Sequence, residues 1–502
     1  MQQKDFVHRA DRGRQETHVR LFLGSFSCTK KPTSAFVVAV SARLNWDFVF
    51  VSTQSGREAE GSDRCMGQTS SQVDRMTSPV SVIVVGAGCR GEIYSQFASV
   101  HPDRMKVVAV ADPRKFARTK LQKQHKITDE NTFEDWHCMV EREKFADAVL
   151  VCTPDRLHKE PAVAFAKKGY HVLLEKPMAT TAEDCTEIVE ACTQSGVMLS
   201  VGHVLRYDPV IRKIKELIDA GAVGDVIHIQ HLEPVGFYHF AHSFVRGNWR
   251  NEAESSFALL AKSCHDIDLI HHWAGARRCV KVSSFGSVSH FRKEHKPTGA
   301  ADRCLDCSVE RDCPYSARKI YLDRVKQGNT GWPVSVICPD SFPDIESVTE
   351  ALRTGPYGRC VYECDNDVCS NQVVNMEFEG GLTASFTMVA FTEEICKRKT
   401  TICGSKGELS YDGHVIHVFD FLTQRSTKHT ASSDSLKHFG MGGHGGADYH
   451  LIEAFISAVA NNDPSRIRSG PEETLQSHLM VFEAERSRLE GRVVYCGDAK
   501  HS

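Results

Sequence analysis

The stretch LLAKSCHDIDLIHHW, Leu259 to Trp273, sets Lys262, Cys264, His265, Asp266, Asp268, His271 and His272 into an otherwise apolar segment. Three kinds of role suit such residues. A histidine, with an unperturbed pKa of about 6.5, can carry a proton near neutrality. His265, Asp268 and His272 recur at intervals of three and four, a spacing that can bind a metal on one helix face. The third role is ordinary helix decoration, with His265 half-buried and paired to Asp266 or Asp268. On a helix Lys262 lies three residues before His265 and shares its face. His271 and His272 read as packing and solvent contacts.

Such a cluster needs elements that position it, and length bounds them. A chain of 502 residues implies two or three domains. Its 61 basic side chains against 64 acidic ones leave no basic excess for nucleic acid or a membrane surface, so the expected partner is a small molecule. Nineteen cysteines are scattered without the dense spacing of a secreted disulfide scaffold, which points to reduced thiols in the cytoplasm. No window reaches the roughly 18 apolar residues of a spanning helix. Residues 1–78 show no sustained period and read as a poorly ordered extension without a secretory signal pattern; Met76 offers an alternative start.

From Pro79 the text changes to PVSVIVVGAGCRGEIYSQFA: a buried strand, then Gly86, Gly88 and Gly91, then a helix. The first glycine permits a tight turn, the second lets backbone approach a pyrophosphate, and the third lets the helix pack on the strand. The next strand ends at Asp112, where a carboxylate accepts hydrogen bonds from a ribose diol and favours NAD; Arg114 can instead receive the 2′-phosphate of NADP. Further short apolar strands end at Thr153 and Pro154, at Glu175 and Lys176, and at His203. The architecture expected is α/β: a doubly wound parallel sheet whose ligand crevice lies beyond those strand ends.

GAGCRG, then CTPDRLHKEPAVAFAKKGYHVLLEKPMA, then VGHVLRYDP resemble the glucose-fructose oxidoreductase, inositol dehydrogenase and MocA family of nicotinamide-dependent enzymes. The resemblance runs from residue 79 to the C-terminus. It implies a Rossmann domain over 79–203 and an α+β domain with an open, mostly antiparallel sheet over 204–502, associating into homo-oligomers. It implies a cofactor site of Gly86, Gly88, Gly91, Asp112, Thr153, Pro154, His158, Glu175 and Lys176. Lys176, in EKP, stands beside the nicotinamide and the substrate hydroxyl, and His265 carries the proton. A carboxylate that family members place before that histidine is missing here: Ala261 stands in its position, with Lys262 beside it as a cation suited to an acidic or phosphorylated substrate. The activity implied is hydride transfer at a secondary hydroxyl or ketone of a sugar or cyclitol. Its rivals are an elimination or glycoside cleavage that retains NAD, and an NAD-binding regulator without turnover.

The residues support the second half independently. In QVVNMEFEGGLTASFTMVAF, Val374, Met376 and Phe378 alternate with Asn375, Glu377 and Glu379 before a Gly380-Gly381 turn, and DYHLIEAFISAVAN and PEETLQSHLMVFEAERSRLEG read as amphipathic helices. His242, Arg246 and Trp249, in GFYHFAHSFVRGNWRNE, are candidate substrate contacts. GGHGG permits close backbone approach to a ligand or simply a turn. Within a cysteine-rich insertion near 300–365, Cys304, Cys307 and Cys313 have gaps compatible with structural zinc, with His290, Cys338, Cys360 and Cys364 competing as fourth ligand.

Overall fold

The computed structural model describes residues 78–339, 341–430 and 443–497, together with the backbone of four short strands before them. Those strands pair antiparallel, Gln3–Phe6 with Val19–Phe22 and Val37–Ala42 with Asn45–Phe50, in a stretch expected to lack regular structure. Met76 lies outside the described residues.

Val80 opens the first sheet. Its strands are β1 (Val80–Val85), β2 (Met105–Ala111), β3 (Thr132–Phe133), β4 (Ala148–Val151), β5 (His171–Leu174) and β6 (Leu199–Val201). They run parallel in the order β6, β5, β4, β1, β2, β3. Helices α1 (Cys89–Val100), α2 (Lys115–His125), α3 (Lys159–Lys167) and α4 (Ala182–Gln194) connect them. Val82, Ile83, Val84 and all of β4 are shut off from solvent. Cover on both faces is what selects continuous apolar runs over alternation here.

After α5 (Pro209–Asp219) the chain builds a second sheet from β7 (Val226–Pro234), β8 (Cys279–Ser287), β9 (Asn371–Phe378), β10 (Thr383–Val389), β11 (Lys399–Gly404), β12 (Gly407–Tyr411), β13 (Ile416–Asp420), β14 (Arg425–His429) and β15 (Val494–Tyr495). The order is β14, β13, β12, β11, β7, β10, β9, β8, β15, antiparallel throughout except for the parallel pair β7 and β10. As the alternation predicts, Val374, Met376 and Phe378 are buried, and Gly380 and Gly381 turn the chain at φ of 78° and 83°.

Helix α6 (Cys264–Ala274) lies against β7 and β10. Both final helices return to the first sheet: α7 (Ala447–Asn461) meets α1, and α8 (Pro471–Glu490) packs on α4, α6 and β8. Between β8 and β9 the insertion folds as short helical turns around its own core, which includes Ala317, Tyr321, Val334, Val348 and Leu352.

Candidate active site

The glycine turn after β1 is built as its spacing requires. Gly86 has φ of 95°, and a Cβ there would stand 2.5 Å from the Cys152 carbonyl oxygen; one on Gly91 would stand 2.0 Å from that of Gly86. Only glycine lets strand, turn and helix approach this closely, leaving the α1 N-terminus free for a phosphate. Gly88 is the N-cap of α1. Asp112 ends β2 with its carboxylate buried, accepting 2.8 Å bonds from the Ala87 and Arg114 amides. The Arg114 guanidinium clasps the same group at 2.9 and 3.0 Å. Burial favours the neutral acid, but the Arg114 bonds outweigh it and hold Asp112 below the usual carboxylate range. A dinucleotide cradle with an ionised acid at its ribose end fits these residues.

Glu175, expected as a cofactor contact, has its side chain engaged within the protein. Its carboxylate takes Arg90 Nε at 2.7 Å, the Tyr94 hydroxyl at 2.6 Å and the Lys176 amide at 3.0 Å. Arg90, inside the glycine turn, also meets Asp448 of α7 at 2.7 Å, and Asp448 meets His444 at 3.0 Å. These ion pairs tie the end of β5, the glycine turn and the GGHGG segment into one unit. His158 is likewise turned inward, with its ring nitrogens 2.7 Å from the carbonyl oxygens of Pro177 and Thr153. Thr153 donates to Leu157 O, while Pro154 is exposed at the strand end.

Lys176 lies beyond β5, and its ammonium donates to the carbonyl oxygen of Ala261 at 2.8 Å. The residue standing where the carboxylate was missing therefore serves through its backbone. The segment is also not one continuous helix: a turn at Ala258–Ala261 ends at Lys262, and α6 starts at Cys264. That break sends Lys262 away from the face it was expected to share with His265.

His265 is 7% exposed, and its Nδ1 has no hydrogen-bond partner among the described residues. Burial first, then the Lys176 charge, holds it well below the ordinary imidazole value, so it is neutral at pH 7. His203, at the end of β6, stands edge-on to it at 5.5 Å; neither of its ring nitrogens is hydrogen-bonded among the described residues, its Nδ1 lying 3.9 Å from Asp268 Oδ2, and burial brings His203 to about 3. Neither carboxylate of α6 pairs with His265. Asp268 takes Arg206 in two bonds of 2.7 and 2.8 Å and Ser477 at 2.8 Å. Asp266 takes Arg398 at 2.7 Å and His231 at 3.0 Å; these outweigh burial and hold it at about 2.

Lys262 instead reaches Cys396 Sγ at 3.0 Å and Glu233 of β7 at 3.3 Å. Burial alone would lower its pKa, yet Cys396 and Glu233 raise it, so the amine stays charged. Glu233 also meets Arg398 at 3.2 Å, so two cations share this buried carboxylate. Sequence reading missed Arg90, Glu233, Cys396, Arg398, His444 and Asp448. The glycine-rich contexts of Arg90 and Asp448 were the available signals.

The remaining candidates are engaged within the protein. His242 is buried against Tyr321, whose hydroxyl lies 2.8 Å from its Nδ1, and burial lowers it to about 3. Arg246 is 1% exposed and donates to the carbonyl oxygens of Arg359 and Tyr315 at 2.7 and 2.8 Å. Trp249 Nε1 donates to Asp155 at 3.1 Å. Zinc at Cys304, Cys307 and Cys313 is not supported: among the described residues no group of three His, Cys, Asp or Glu side chains is placed to hold a metal. These thiols and Cys360 line a cavity of about 20 Å³ that Arg246 also lines, with its Nη2 3.5 Å from Cys304 Sγ. A guanidinium stands where the spacing alone suggested a cation.

Comparison with known proteins agrees with this fold. An oxidoreductase family profile for the NAD-binding Rossmann fold matches residues 80–203, and its C-terminal alpha/beta domain matches residues 215–495. A 2,7-anhydro-N-acetylneuraminate hydratase of Escherichia coli K12 is 30% identical over 214 residues, 41% of this chain and 53% of that relative. An inositol 2-dehydrogenase of Pseudomonas savastanoi pv. phaseolicola is 34% identical over 154 residues, 30% of this chain and 45% of that relative. The chain spans about half the length of these curated relatives. A levoglucosan dehydrogenase solved with NADH and L-sorbose shares the fold, with a TM-score of 0.60 at 16% identity, covering 83% of this chain and 99% of that one. Matched over both of its domains, the chain belongs to the glucose-fructose oxidoreductase, inositol dehydrogenase and MocA family of oxidoreductases.

Proposed function

We propose that this protein transfers hydride between NAD and a secondary hydroxyl or ketone of a sugar, cyclitol or sugar derivative. One observation carries the reading: the Lys176 ammonium and the neutral imidazole of His265, whose Nδ1 has no hydrogen-bond partner among the described residues, converge beyond the strand ends of a dinucleotide-binding sheet. Gly86, Gly88 and Gly91 hold the pyrophosphate and Asp112 the ribose diol, with Thr153 and Pro154 along the crevice. Bound NAD supplies the hydride acceptor, and NADH the donor. Lys176 stabilises negative charge developing on the substrate oxygen, and His265 accepts the hydroxyl proton and returns it in the reverse direction. Glu175 and His158 position Lys176 and the Thr153 loop.

The domain boundary belongs after His203, and the working state is a cytoplasmic homo-oligomer. The exposed Phe285 of β8 and Ile227 of β7 support association through the second sheet, which light scattering tests. Among the described residues no helix is long and apolar enough to cross a membrane.

The hydratase relative favours a second reading, in which transient oxidation by NAD acidifies a neighbouring C–H, a leaving group departs, and hydride return from NADH to the substrate carbonyl regenerates NAD. A panel of polyols, cyclitols, uronic acids and glycosides, assayed for both NADH and product, separates the two. Net NADH supports the dehydrogenase, and leaving-group release without net NADH supports the elimination. Turnover that survives Lys176→Met overturns the assigned roles.

A further inference from the structure

We propose that the insertion between β8 and β9 builds an aromatic subsite at Trp332 that receives a second ring of the substrate. The substrate is then a glycoside or short oligosaccharide rather than a free sugar or cyclitol. The inference rests on the function proposed above and names its substrate class.

Trp332 is 43% exposed, whereas Tyr315, Tyr321 and Tyr357 of the same insertion are 9% exposed or less. Its indole meets the His239 ring edge-on at 4.9 Å and the His242 ring at 5.4 Å, with Tyr238 at 6.3 Å. His239 Nδ1 in turn lies 3.5 Å from Cys396 Sγ, and Cys396 meets Lys262 at 3.0 Å. Lys262 follows Ala261, whose carbonyl oxygen holds the Lys176 ammonium. An unbroken series of contacts therefore runs from the reacting end of the site to a partly exposed aromatic surface. Lys262, Cys396 and His239 stand between them, which sets Trp332 apart from the reacting carbon and suits it to a neighbouring ring.

The chemistry along this series fits a sugar. A pyranose ring offers an apolar C–H face that gains dispersion and loses hydration against an indole, while its hydroxyls need polar groups at the rim. His239 supplies one as a neutral group, because burial and then the Lys262 charge hold it well below the usual imidazole value. Backbone geometry points the same way. Cys396 has φ of 55°, a strained value for a residue with a side chain, and a Cβ on Gly236 would stand 2.4 Å from Ile395 Cγ1. That close approach, with strain at the joint, brings His239 and Cys396 into register. A single exposed indole rimmed by polar groups is also too small a surface for a protein partner.

The test uses the full-length protein with NADH or NAD present. Each free sugar that binds is paired with its methyl and phenyl glycosides and its disaccharides, and binding is read from tryptophan fluorescence alongside kcat/KM. In the wild type, glycosides and disaccharides bind more tightly than the free sugar and quench the fluorescence. Trp332→Ala lowers kcat/KM for the glycoside about tenfold more than for the free sugar, and Trp332→Phe restores most of the difference. Equal losses for both, or a wild type that prefers the free sugar, overturn the subsite while leaving the hydride-transfer reading standing. Absence of binding by any sugar defeats both.

Discussion

Around Lys176 and His265, Glu175, Glu233, Asp266 and Asp268 each meet a cation, while three imidazole nitrogens of His203 and His265 have no hydrogen-bond partner among the described residues. In the insertion, four thiols surround a cavity of about 20 Å³, room for roughly one water, with the buried guanidinium of Arg246 reaching in from outside it. The two regions are similarly rich in reactive side chain types and differ in what is left over. Around Lys176 the charged groups are consumed in holding position, so the groups free to react stand out. Beside the insertion, Arg246 spends Nε and Nη2 on main-chain carbonyls and leaves only Nη1, a permanently protonated donor, without a partner among the described residues, and the cysteines serve mainly as small apolar packing.

The sharpest test of that contrast replaces one cation in each region. Lys176→Met should lower kcat/KM by about 10³-fold or more with little change in Tm, because it removes charge stabilisation at the reacting oxygen. Arg246→Met should do the reverse. Its hydrogen bonds to Arg359 O and Tyr315 O are buried, so stability falls by about 2–4 kcal/mol in urea unfolding while kcat changes little. If instead Arg246→Met abolishes turnover and spares stability, the insertion is chemical and the comparison fails.

Histidine titration gives the next effect. His203 and His242 sit at about 3 in the folded protein, against an ordinary value of 6.5. As pH falls below 6.5 the unfolded chain binds these protons first, so stability declines from there down to about pH 3. Each contributes about 2 kcal/mol of loss between pH 7 and pH 5. His242→Gln, which can still bond to Tyr321, should flatten the profile by one histidine. An unchanged pH dependence would show that His242 titrates normally. The smallest effect concerns the anchor: Asp448→Asn removes one partner of Arg90 and should weaken NADH binding by about fivefold to tenfold, measured by fluorescence titration.

What the sequence made legible was local. Val80–Val85, the glycine spacing and the alternation of Val374, Met376 and Phe378 are short-range patterns, and the sheets follow them. Lys176 and His265 were singled out because their motifs are local too. The break at Lys262 was not visible, since the apolar period runs straight through it, and its side chain is claimed by Glu233 and Cys396 from distant strands. The Ala261 contribution could not be read from side chain identity because a carbonyl oxygen makes it. Cysteine spacing in the insertion said which atoms could bind a metal but nothing of the arginine that folds in beside them. His242, Arg246 and Trp249 have polar chemistry suited to a substrate, but the groups they meet, Tyr321, Arg359 O and Asp155, come from segments distant in the sequence.

The Arg90 to Asp448 contact also orders events in time. A ribosome makes the dinucleotide turn early and reaches Asp448 only after more than two-thirds of the chain is out, so the nascent Rossmann sheet emerges with its turn arginine short of one counter-charge and with α4 uncovered by α8. Completion of the nucleotide cradle therefore waits for the end of synthesis. A chain stopped before residue 443 would present a sheet of correct topology that holds its cofactor poorly, which makes occupancy by NAD a report on whether the whole polypeptide has been made.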